Sequence, residues 1–68
     1  MSDRTDADFL SDIREALDRI RLYTAGMSYK TFVDDKKTQD AVLRNLEILG
    51  EATKHLSNAF RLKHSEIP

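Results

Sequence analysis

The sequence predicts an all-α protein, an antiparallel helical hairpin with short connecting turns. Three observations carry this. Two long stretches place their apolar residues at alternating spacings of three and four, the helical period. Neither stretch contains a proline, the only one in the chain being Pro68. Between them lies a short segment, Gly26–Asp35, with the glycine, serine and aspartates that end one helix and begin the next.

The elements follow in order. Residues 1–7 read as a frayed, polar lead-in. Asp6 or Asp8 is positioned to cap a first helix spanning 8–26, since acidic side chains suit the positive end of a helix dipole. Its apolar stripe runs Phe9, Ile13, Ala16, Ile20, Tyr23, Met27, widened by Leu10, Leu17 and Thr24. Ser11, Arg14, Glu15, Asp18 and Arg21 lie opposite, where pairs such as Arg14–Asp18 and Asp18–Arg21 lend ordinary surface support. Leu22 alone breaks that polar side. Gly26 suits a left-handed cap. Ser28 then starts a connector turn over 28–34, in which Tyr29, Phe32 and Val33 are expected to fold over the first helix. Asp34 or Asp35 caps the core helix, 35–56. Residues 57–64 form either a separate short helix capped by Ser57 or a continuation of the core helix. Ile67-Pro68 has the look of a lead into another element.

The core helix decides the architecture. Ala41, Val42, Leu46, Leu49, Ala52 and Leu56 share one broad face. Leu43 extends it on one side, with Gly50 close by, and Ile48 extends it on the other. The apolar arc exceeds half the circumference, whereas packing on one neighbour needs a stripe only about 100° wide. One covalently attached companion cannot cover it. The hairpin is therefore expected to pair into a four-helix-type dimer, with Leu43, Leu46 and Gly50 at the dimer or partner interface. Glycine in a helix interior costs about 1 kcal/mol against alanine, so close approach of another helix is the expected reason for Gly50. Asn45 sits at the centre of the arc, either as a register-setting or site-lining group or as a satisfied core amide.

Composition narrows the function. With 68 residues the chain is one small domain, of the size that often depends on association for stability. It has no cysteine, so neither disulfides nor thiolate metal sites are available. The net charge of −1 gives no bulk attraction to nucleic acid or membrane. No leader-like or membrane-spanning apolar run is present, and a cytoplasmic location is expected. Glu51 and His55, four apart, form a surface contact; two ligands are too few for a metal site. Lys36, Lys37, Arg19 and Arg21 alternate with acids and read as a solvated face. No phosphate loop, Ser/His/Asp set or zinc spacing occurs, and no cofactor is implied.

The run KTQDAVLRNLEILGEATKHLS followed by Arg61, His64 and Ile67-Pro68 closely resembles the HepT family of HEPN-domain ribonuclease toxins. The resemblance rests on Lys37, Thr38, Gln39, then Arg44, Asn45, Leu46, Glu47, then Gly50, Glu51, Ala52, and extends from Phe9 to Pro68. It implies half of a HEPN-type helical bundle, a homodimer, and a toxin restrained by a nucleotidyltransferase antitoxin of the MntA type that adenylylates a tyrosine. It also implies metal-free RNA cleavage by an Arg-x4-His-x-Tyr motif, in which arginine holds phosphate with a fork of donors and histidine moves a proton. This chain lacks that motif, which in relatives follows the Ile-Pro step. Arg61 and His64 are too closely spaced to replace it. No catalytic residue is therefore carried over, and RNA is a partner only for a chain that includes the motif. Arg44, Asn45, Glu47 and Glu51 match the family's core helix, where they are expected to line or brace the cleft.

Overall fold

A computed structural model describes residues 4–63. Helix α1 spans Asp6–Thr24, α2 spans Tyr29–Val33 and α3 spans Lys36–Lys63. Phe9, near the start of α1, stacks on His55, late in α3, so the two long helices run antiparallel. The all-α hairpin is as the sequence predicts.

Helix α1 starts earlier than expected. Its N-cap is Thr5, not Asp6 or Asp8. The Thr5 hydroxyl accepts from the Asp8 backbone N–H at 3.2 Å, and the Asp8 carboxylate accepts from the Thr5 N–H at 2.9 Å. This reciprocal capping box satisfies two orphan donors at once, which residues 6 and 8 alone cannot do. Residues 4–7, read as frayed, are thus tied down. The helix ends at Thr24 with Ala25 as cap, and Gly26 takes the left-handed conformation at φ 74° that a glycine admits without cost.

Ser28 caps α2 as expected, in a second reciprocal box with Thr31. The turn touches α1 only weakly, however. It packs against α3, leaving Tyr29 exposed and Val33 nearly half-exposed. Gln39 explains the choice: its amide donates to the Phe32 and Val33 carbonyls at 2.9 and 2.7 Å, holding the end of α2 against the first turn of α3. Asp35 caps α3, accepting from the Thr38 N–H at 3.0 Å and hydroxyl at 2.7 Å. The Lys37-Thr38-Gln39 run is in this respect a joint between helices. Both capping carboxylates sit below the usual range, Asp8 chiefly through the Thr5 N–H and Asp35 chiefly through the Thr38 N–H.

Of the two readings for residues 57–64, continuation holds through Lys63. Ser57 starts no new element, and Gly50 does not interrupt the helix. His64 lies outside the described residues.

Among the described residues the buried ones are small: Ala16, Ala52 and Asn45. Alanines let two helix backbones approach closely, and larger side chains ride at the edges of the contact. The radius of gyration, 15.5 Å, exceeds the roughly 11 Å expected of a 68-residue globule. The extents of 47 × 31 × 16 Å describe a layer one helix thick. Among the described residues, no helix is long and apolar enough to cross a membrane.

Candidate functional site

An open groove of about 690 Å³ runs along one broad face of the hairpin. On the α3 side Arg44, Glu47 and Glu51 succeed one another at spacings of three and four, so their side chains share one wall. Ile48 and Ala52 give it an apolar floor. Arg4, Phe9 and Asp12 form the opposite wall, and His55 closes one end.

That end is a layered clasp. The Phe9 ring meets both the Arg4 guanidinium, 4.9 Å from its centroid, and the His55 imidazole, stacked at 4.6 Å and 13°. Arg4 also pairs with Asp12 at 2.8 Å and donates to the Asp8 carbonyl at 3.3 Å. His55 faces Glu51 at 3.4 Å, the i,i+4 contact expected from the sequence. An aromatic stack contributes about 0.5–1.5 kcal/mol and an exposed cation–π contact about 0.5–1. The half-exposed Arg4–Asp12 pair adds no more than about 1 kcal/mol. The Phe9–His55 stack holds the first turn of α1 to the later part of α3, and the Arg4 contacts fix the Phe9 ring from its own side.

Charge in the groove is unevenly committed. Arg4 and Glu51 have partners, whereas Arg44 and Glu47 form no ion pair among the described residues. A guanidinium and a carboxylate without partners, above an apolar floor, leave a fork of donors and an acceptor facing solvent. The described residues contain no group of three or more His, Cys, Asp or Glu that could hold a metal ion.

Three of the four sequence-derived candidates, Arg44, Glu47 and Glu51, therefore meet in one groove. Asn45 does not line it. It is buried at 5% exposure, its amide donating to the Ala41 carbonyl at 2.9 Å. Its carbonyl oxygen is enclosed without a hydrogen-bond partner, so it is only half satisfied. The interface candidates lie elsewhere: Leu43 and Leu46 are about half-exposed, and a side chain added at Gly50 would meet nothing within 4 Å. Arg4, Phe9 and Asp12 were not legible as groove residues. Phe9 reads as one more member of the α1 stripe, and Arg4 as part of a polar lead-in. Only the antiparallel register of the two helices brings them to the groove.

The fold and groove define a small helical-hairpin protein with a charged cleft on one face. The sequence profile described as ribonuclease HepT-like matches residues 13–68, and the chain belongs to that family. It is 48% identical over 65 residues to the probable ribonuclease HepT of Thermococcus cleftensis, covering 96% of this chain and 59% of that protein. It is 45% identical over 60 residues to a candidate RNase of Methanocaldococcus jannaschii, covering 88% of this chain and 50% of that one. A candidate RNase of Caldanaerobacter subterraneus subsp. tengcongensis is 37% identical over 65 residues, with 96% and 58% covered. The chain thus spans between half and three-fifths of the length of these relatives. No solved structure matches it at a significant level.

Proposed function

We propose that this chain is the N-terminal portion of a HepT-like toxin whose complete form is a cytoplasmic, homodimeric RNA endonuclease held in check by a nucleotidyltransferase antitoxin of the MntA type. The observation that carries the reading is the family match over residues 13–68. The meeting of Arg44, Glu47 and Glu51 in one groove supports it. In this reading Arg44 offers its donor fork to a phosphate. Glu47 and Glu51 brace the wall and limit where the anion sits, and Asn45 lies buried beneath it, bonded within α3. The proton-moving residues belong to the Arg-x4-His-x-Tyr motif that this chain lacks.

The test is a chimera of this chain with the portion of the Thermococcus cleftensis relative that lies outside the match, assayed on single-stranded RNA. Cleavage is expected from the chimera and none from the 68-residue chain alone. Arg44→Ala in the chimera is expected to lower the rate at least about tenfold, the loss of one charge-assisted phosphate contact. Cleavage by the short chain, or an Arg44→Ala chimera of full activity, refutes the assignment.

A second reading is a non-catalytic dimerisation or partner-binding module. It is favoured by the exposure of Leu43 and Leu46 and the open space around Gly50. It predicts an inactive chimera and a short chain that is dimeric by sedimentation.

A further inference from the structure

The two broad faces of the hairpin differ in kind. One holds the charged groove. By the helical period, the other presents Leu10 and Leu17 of α1, two turns apart, and Leu46 of α3. These leucines are 56%, 44% and 49% exposed. Leu10 and Leu17 border a shallow second depression of about 380 Å³ along α1, whose charged lining is Arg14 and Arg21 with Asp18 between them. Neither guanidinium forms the pair with Asp18 expected from the sequence, nor one with any other carboxylate among the described residues. Large apolar side chains exposed together, with two unpaired cations to one carboxylate at their edge, mark an association surface that asks for an apolar partner carrying carboxylates.

The relatives indicate what supplies it. About two-fifths of the Thermococcus cleftensis protein and half of the Methanocaldococcus jannaschii protein lie outside the match to this chain. That is ample for two helices of ordinary length. We infer that the face formed by Leu10, Leu17 and Leu46 is the seat of this additional polypeptide, an amphipathic helical segment. Its apolar stripe packs on the leucines, and its acidic residues meet Arg14 and Arg21. Such packing leaves the groove open on the opposite face and leaves Leu43 and Gly50, at the outer edge of α3, for any second copy. The inference rests on the family reading above and adds where the rest of such a protein docks.

The test adds the non-matching portion of the Thermococcus cleftensis relative, carried on a soluble fusion partner, to this chain and measures association by calorimetry and sedimentation. A one-to-one complex is expected. Leu17→Glu combined with Leu46→Glu should weaken it at least about tenfold, as should Arg14→Glu combined with Arg21→Glu. Ser11→Arg, on the far side of α1, should leave it unchanged. Circular dichroism reports whether each variant keeps its helices, and the exposed arginine pair keeps the test decisive even if the leucine variants unfold. Absence of a complex, or a complex indifferent to both pairs, overturns the inference. So does a homodimer of this chain alone that the same leucine substitutions break, since the face would then belong to a second copy. The readout is association and not RNA cleavage, so failure here and failure of the ribonuclease assignment are separately visible.

Discussion

The seam between α1 and α3 and the leucine-bearing face beside it invert the usual arrangement of a protein interior. The seam buries two alanines and an asparagine, while Leu10, Leu17, Leu43 and Leu46 remain about half in water. Two helices touching along one line can enclose only what lies on that line, and close approach selects small residues there. Large side chains need a second layer to be covered. The two long helices are thus held together by close backbone approach and the Phe9–His55 stack more than by a core.

The most damaging test of this contrast is to put bulk into the seam. Ala52→Leu should destabilise the hairpin by about 1–3 kcal/mol, since nothing there yields space without separating the helices. A thermal melt followed by circular dichroism measures it, and an unchanged midpoint would show the seam to be loose.

Next comes Gly50, where space is open on the chain itself. Gly50→Ala should stabilise the hairpin by about 1 kcal/mol through helix propensity alone. Gly50→Leu should leave the hairpin intact while blocking any assembly through that edge, as read by sedimentation. If both variants behave identically in assembly and stability, the glycine has no role in close approach.

The smallest effect is expected from acid. Asp8 and Asp35 have folded-state pKa values lowered below the ordinary 3.8, so they bind a proton less readily folded than unfolded. Their stabilisation is fully present above that value and is lost as the pH falls through the lowered folded values. The melting midpoint should therefore be insensitive to these groups from about pH 7 to 5 and decline below about 4. Asp8→Asn with Asp35→Asn should flatten part of that decline.

Much of the hairpin was legible because helical periodicity is a local property. The spacing of Phe9, Ile13, Ala16 and Ile20, and of Ala41, Val42, Leu49 and Ala52, needs no tertiary information to interpret. Gly26 and Ser28 punctuate the chain where the sequence places them. The Thr5 cap was missed because Asp6 and Asp8 have the same local chemistry, and only the reciprocal bond to Asp8 singles out Thr5. The docking of α2 on α3 was missed because Tyr29 and Val33 are apolar enough to suggest burial. What decides it is the reach of Gln39, six and seven residues away. Arg44, Glu47 and Glu51 could be placed on one wall from their spacing. The opposite wall depends on the register between helices, which no single-helix pattern contains. Asn45 was correctly located at the centre of the arc, but its unpaired carbonyl oxygen could not be anticipated from sequence.

The 16 Å thickness has a dynamic consequence. In a layer one helix deep, every backbone amide is a single side chain away from bulk water. Amide protons should therefore exchange with deuterium at graded rates, slowest near Ala16 and Ala52 and fastest toward Phe60 and Leu62, in place of one strongly protected block.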